Sequence, residues 1–200
     1  MNRLNRMSME KEEKSQIAYH KNVIDFIAVA AELCHFLESE VEISRNEWVE
    51  RILKLLPLLY VKTLLLPQAS LLNDEVPPTF VREEDYARVV NRIAEVMGEE
   101  DTYLDVFVDE MKYSDRPISA FVSENLADLY QDIRNLVSVY QFELSDQMED
   151  ALAVCQENFM LYWGQKLVNV LRPLHALKCR FEESGTDEES DINNIEELWD

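Results

Sequence analysis

The sequence predicts an all-α protein: an antiparallel bundle of about five to six helices in a single domain, with a disordered acidic C-terminal tail. Three observations predict it. Apolar residues recur at three- and four-residue intervals through most of the chain. Glycine occurs only three times, at Gly98, Gly164 and Gly185, too sparsely for the tight turns of a β-rich fold or for a phosphate-cradling loop. Residues 182–200 hold nine acids and no base, a self-repelling stretch with little to bury.

Residues 1–14 are polar and should fray. Ser15 is a candidate N-cap for a first helix running to about Val41, with Ile17, Ile24, Ile27, Ala31, Cys34 and Phe36–Leu37 at helical spacing. Ser44 and Glu47 form a capping-box pattern that opens a second helix. Trp48, Ile52, Leu55, Leu56, Leu59 and the leucines after them leave that helix apolar nearly all round. Such a helix is normally covered by neighbours, so it should be central. Pro57 should kink it and Pro67 end it. Residues 73–78 form a loop. Glu83 to Met97 reads as a third helix, with acids in its first turn suiting the helix dipole and Gly98 as its stop. Residues 99–118 look irregular, with a short element near Tyr103–Phe107. A fourth helix spans Ser119 to about Phe142, with Phe121, Leu126, Leu129, Ile133, Val137 and Tyr140 on one side. Ser145 should cap the last helix, which runs through Leu152, Cys155, Phe159, Trp163, Leu167, Leu171 and Leu174 to about Phe181, bent at Pro173. The expected organisation is a flexible terminus at 1–14, a helical domain at 15–181 and a disordered tail at 182–200.

The formal charge is −21. Residues 15–181 contribute fifteen bases and twenty-eight acids, a balance of −13, and the tail contributes −9. The domain is therefore acidic without its tail. A surface of this sign repels phosphate backbones and anionic lipid heads. The basic residues are scattered and form no stripe, so direct nucleic-acid binding is not expected. The charge serves solubility, recruits a basic protein partner, or mimics a nucleic acid. The most apolar run, Leu55 to Leu66, is interrupted by Pro57 and Lys62 and falls short of the ~20 residues of a membrane span. No membrane attachment or signal peptide is expected. Three widely spaced cysteines, Cys34, Cys155 and Cys179, fit reduced thiols in a cytoplasmic protein.

Familiar catalytic signatures are missing: the sequence has no Walker or dinucleotide glycine pattern, Gly-x-Ser-x-Gly, Cys-x-x-Cys or His-Glu-x-x-His. All-α nucleoside-triphosphate hydrolases hold magnesium between a Glu-x-x-Glu and a following Glu-x-x-Asp. Glu47–Glu50 and Glu143–Asp146 are unpaired halves of that signature. The best carboxylate cluster is Glu124, Asp128 and Asp132, stacked at i, i+4, i+8 on one face of the fourth helix. Like charges at that spacing repel. The row therefore faces water, pairs with a neighbouring base such as Arg88 or Arg92, or holds Mg²⁺ for a phosphohydrolase. His175 and Cys179 stand one turn apart, but two ligands make no metal site, and a thiol beside an imidazole is the simpler reading. Asp101, Asp105 and Asp109 lack the central glycine and closing glutamate of a calcium loop. No cofactor is expected. In the tail, Ile192, Ile195, Leu198 and Trp199 recur at helical intervals among acids, the pattern of a segment that folds as it enters a partner's groove.

Two stretches, Glu124-Asn125-Leu126-Ala127-Asp128-Leu129-Tyr130-Gln131-Asp132 and Trp163-Gly164-Gln165-Lys166 leading to Leu174-His175-Ala176-Leu177, carry a family likeness. With Asp101-Thr102-Tyr103-Leu104-Asp105-Val106-Phe107 between helices, the chain resembles a bacterial all-helical domain family of unknown function over about residues 15–180. The resemblance implies a single helical domain and assigns no catalytic residue. The reading that follows is a non-enzymatic binding or regulatory module engaging a basic protein partner. The alternatives are a Mg-dependent phosphohydrolase and a nucleic-acid mimic.

Overall fold

The computed structural model describes residues 17–73, 76–105 and 118–196, with side chains to Glu182. Six helices carry the described chain: α1 (Lys21–Glu38), α2 (Arg45–Leu64), α3 (Glu83–Met97), α4 (Val122–Gln141), α5 (Met148–Asn158) and α6 (Gly164–Glu196). The result is the all-α bundle that the apolar periodicity predicts.

Local chemistry sets the helix ends. The Ser44 hydroxyl accepts from the Glu47 amide (3.2 Å) at the start of α2, as the capping box requires. At α3 the Asp85 carboxylate accepts from the Arg82 amide (3.3 Å), and Gly98 ends the helix with φ +55°. Two caps differ from expectation. α1 begins at Lys21 behind His20, whose Nδ1 accepts from the Asn22 amide (3.2 Å), and the expected cap Ser15 lies outside the described residues. Ser145 opens only a short 3-10 turn, Ser145–Gln147, and α5 starts after it without a side-chain cap.

α4 is the central helix: it packs against α1, α3, α5 and α6. Leu126, Leu129, Ile133 and Val137 are fully buried along it. This corrects the expectation for α2, which packs mainly on α1 and α6. α2 buries Trp48, Ile52, Leu56 and Leu59 and leaves Leu58, Val61, Leu64 and Leu65 exposed. Its all-round apolar character reflects an uncovered outer side, which composition alone cannot distinguish from a buried one. The inner face of α1 is Val23, Phe26, Ala30, Leu33 and Leu37, with Ile24 exposed.

Two short strands lie at the described ends of the segment expected to be irregular, and residues 106–117 between them are outside the described residues. β1 (Thr102–Asp105) pairs antiparallel with β2 (Ile118–Phe121), Thr102 opposite Phe121 and Asp105 opposite Ile118. α4 thus starts at Val122 rather than Ser119.

α5 and α6 form one continuous helical run joined by a π-turn, Phe159–Trp163. There the Gly164 amide bonds to the Phe159 carbonyl, and the fully buried Trp163 donates from Nε1 to the Cys155 carbonyl (3.2 Å). Met160, Leu161 and Tyr162 bulge outward and are exposed. The trace stays helical to Glu196, beyond the Phe181 end expected for the packed part, and Leu177 and Phe181 are the last described side chains against the core.

The 65–82 connection is stitched down by polar side chains. Gln156 accepts from the Ala69 amide (3.0 Å) and donates to the Pro67 carbonyl (2.9 Å). Asn135 accepts from the Phe80 and Val81 amides (2.7 and 3.0 Å). The buried Asp150 carboxylate accepts from the Leu72 amide and Asn73 Nδ2, both at 2.5 Å, in the first turn of α5 where the helix dipole favours a negative charge. Among the described residues no helix is long and apolar enough to cross a membrane.

Candidate functional site

The carboxylate row does lie on one face of α4, and the fold gives two of its members different partners. Asp128 is half-buried and receives Lys166 of α6 on Oδ2 and the Tyr86 hydroxyl of α3 on Oδ1 (2.9 Å). Burial and the adjacent Asp128 charge push the Tyr86 hydroxyl pKa up, so it stays a donor. Asp132 accepts from Asn158 of α5 (2.7 Å), and burial raises its carboxyl pKa. Glu124 is exposed.

The positive partner is thus Lys166. Arg88 instead pairs with Asp85 (3.3 Å), and Arg92 donates from Nη2 to the Val41 carbonyl (2.9 Å). The row ties α4 to α3, α5 and α6. Among the described residues no three His, Cys, Asp or Glu side chains converge as a metal set.

The other candidates separate in the same way. Asp101 is buried and accepts from the Ser123 amide (2.8 Å) and hydroxyl (2.7 Å). The strand register explains this: with Thr102 opposite Phe121, Asp101 sits beside the first turn of α4. Phe121 at the N-cap has no polar side chain, so Asp101 satisfies an otherwise bare amide from outside the helix. Asp105 accepts from Asn169 Nδ2 (2.9 Å), and Asp109 lies outside the described residues. His175 Nε2 and Cys179 Sγ are 3.7 Å apart, an imidazole–thiol contact on α6. Cys34 and Cys155 are buried, and burial pushes both thiols up, keeping them protonated. Ile192 and Ile195 lie where only the backbone is described, and Leu198 and Trp199 lie outside the described residues.

One arrangement was hidden from sequence reasoning because it depends on which helix ends meet. Arg45 Nε donates to the Val96 carbonyl (2.7 Å) and Arg92 to Val41, so the α1–α2 loop lies against the C-terminal end of α3. Arg180 of α6 bonds to Glu100 (2.5 Å) and Lys178 pairs with Glu182 (3.5 Å), which brings the root of the acidic tail to that same end. The bases there are engaged, whereas Glu40, Glu42, Glu47, Glu95 and Glu99 are exposed and form no ion pair with a described residue. The signal available beforehand was only the acid count.

Comparison with known proteins agrees with this architecture and adds no activity. The crystal structure of protein BF1032 from Bacteroides fragilis, a structural genomics target, superposes with a TM-score of 0.72 at 44% identity, covering 82% of this chain and 96% of that one. No curated protein matches the chain. Residues 17–180 match the family described as "Domain of unknown function (DUF5063)". The helical likeness carried by residues 124–132 and 163–177 therefore has its counterpart, and the chain belongs to the DUF5063 family.

Proposed function

We propose that the protein is a non-enzymatic binding module that engages a basic protein partner through one acidic end of its bundle. The observation that carries this reading is that Glu40, Glu42, Glu47, Glu95 and Glu99 stand exposed at the end from which the acidic tail departs. Carboxylates gathered this way give a field that steers a cationic partner and fixes its orientation, while contributing less to affinity once salt screens them. The tail residues Ile192, Ile195, Leu198 and Trp199 would supply apolar anchors after electrostatic encounter, as folding-on-binding segments do. Magnesium-dependent phosphohydrolysis is a weaker reading, because Asp128 is committed to Lys166 and Asp132 to Asn158.

The test is capture from a cell extract at stepped salt with three baits. These are the full chain, a chain lacking 182–200, and a full chain with Glu40, Glu42, Glu95 and Glu99 changed to Gln. The expected result is a set of basic proteins retained by the full chain, lost as salt rises, and depleted with either altered bait. Partners unchanged by both alterations would sink the proposal. Competition by duplex DNA for the same partner would instead identify the surface as a nucleic-acid mimic.

A further inference from the structure

We propose that a cavity between α1, α3 and α4, distinct from the acidic carboxylate row, binds a phosphate-bearing small molecule of mononucleotide size. The cavity is about 720 Å³, and four arginines line it: Arg82, Arg88 and Arg92 from the start and body of α3, and Arg134 from α4. Pockets that take ligands of this size occupy about 300–1,000 Å³.

Concentration of arginine here runs against the character of the chain. Residues 15–181 carry fifteen bases against twenty-eight acids, yet in this cavity the four arginines face only four carboxylates, Glu38, Glu40, Asp85 and Glu95. Two of those acids are already engaged. Glu38 accepts from Arg134 Nε (2.7 Å) and the Tyr130 hydroxyl (2.8 Å), and Asp85 holds Arg88 (3.3 Å) and the Arg82 amide (3.3 Å).

Arg92 supplies the pointer to a ligand. Its Nη2 bonds to the Val41 carbonyl, but its Nε is buried with no acceptor among the described residues. A buried guanidinium N–H is rarely left bare, and a turn of the Arg92 side chain would bring it to an anion in the cavity. Arg88 and Arg92 stand one turn apart on α3, so both forks reach the same side of the helix. Planar guanidinium groups bind phosphate oxygens in pairs, which favours this anion over a spherical one. Four arginines against four carboxylates leave the cavity formally neutral within a domain that is otherwise acidic, so its hold on an anion would come from the guanidinium forks rather than from net charge.

The other part of the ligand follows from the apolar end. Phe80 and Phe142 line the cavity with ring centroids 5.3 Å apart, and Phe142 is 62% exposed. Asn135 holds the Phe80 amide in place. An exposed ring beside an arginine cluster suits a ligand with a flat ring next to its phosphate.

The experiment titrates the full chain by two-dimensional NMR and thermal shift. Its probes are a purine and a pyrimidine nucleoside monophosphate, the matching nucleosides, and inorganic phosphate. The monophosphates should bind saturably, at least about tenfold more tightly than either the nucleosides or inorganic phosphate. R88Q and R92Q should each weaken monophosphate binding by about tenfold. Arg88 is 65% exposed at its side chain, so R88Q keeps the test clear of folding effects. F142A should weaken the monophosphates several-fold and leave inorganic phosphate unchanged. Absence of saturable binding by any phosphate probe would overturn the proposal, as would affinity unchanged in both arginine variants or nucleosides binding as tightly as their monophosphates. Glu40 and Glu95 belong to both the cavity lining and the acidic end, but R88Q, R92Q and F142A leave them in place, so failure of phosphate binding is distinguishable from failure to bind a basic protein.

Discussion

Replacing Asp101 by Ala should unfasten the start of the central helix. Its carboxylate accepts from the Ser123 amide at 2.8 Å and the Ser123 hydroxyl at 2.7 Å, and the residue is 8% exposed. A hydrogen bond to a charged partner contributes ~1.5–3 kcal/mol, and a buried donor left bare costs ~1–3 kcal/mol. The two bonds share one carboxylate and do not add fully, so D101A should cost about 3 kcal/mol. For a domain of this size that lowers Tm by roughly 6–12 °C. D101N retains an amide oxygen for the Ser123 N–H and an amide donor for its hydroxyl, so it should lose only about 1 kcal/mol. Urea unfolding followed by circular dichroism measures all three proteins, and S123A should cost less in the D101A background than alone. A D101A midpoint equivalent to less than about 0.5 kcal/mol of destabilisation would refute the capping role.

K166M should leave the half-buried Asp128 with the Tyr86 hydroxyl alone and cost ~1–2 kcal/mol in chemical unfolding, a part-exposed pair being worth less than a fully buried one. D132N should be more stable than the parent at pH 7. Burial raises the folded-state pKa of Asp132, so the folded protein holds a proton that the unfolded chain releases, and stability falls as pH rises through that window. The advantage of D132N should vanish below the unfolded carboxyl pKa, as read from unfolding midpoints across pH. G164A should destabilise by ~1–3 kcal/mol although alanine favours helix, because its Cβ would lie 2.5 Å from the Phe159 carbonyl and 2.8 Å from the Phe159 ring. A thermal-shift series with Mg²⁺ should leave Tm unmoved, since the ion would have to displace Lys166 from Asp128.

What the sequence made legible was local. Helix α3 matches its predicted ends because acids, apolar spacing and Gly98 lie within its own span. Ser44 and Glu47 identified the start of α2 for the same reason. The errors arise where a distant segment decides. The leucines at 64 and 65 suggested burial, but among the described residues no neighbour covers that side of α2. The short element expected near Tyr103–Phe107 overlaps β1, but its pairing with β2 was not foreseen, because four-residue pairings across a gap leave no periodic trace. Helix α4 starts without its own cap because Asp101 provides one from twenty-two positions away. The acid row was visible from its spacing, whereas its partners on α3, α5 and α6 were not, since a lysine's destination depends on helix packing.

The π-turn at Phe159–Trp163 carries a consequence for descent. Beyond its first turn, which buries 148–152 together, the last helical run buries side chains at 155, 159, 163, 167, 170, 174 and 177. Three successive steps of four, from Cys155 to Leu167, overshoot an ordinary α-helix, and the wider turn absorbs the surplus residue so that both halves still face the interior. Met160, Leu161 and Tyr162 therefore carry the surplus residue on the outer side of the run. Relatives should tolerate a single-residue gap here, and only here along this run, without losing alignment of the buried positions on either side.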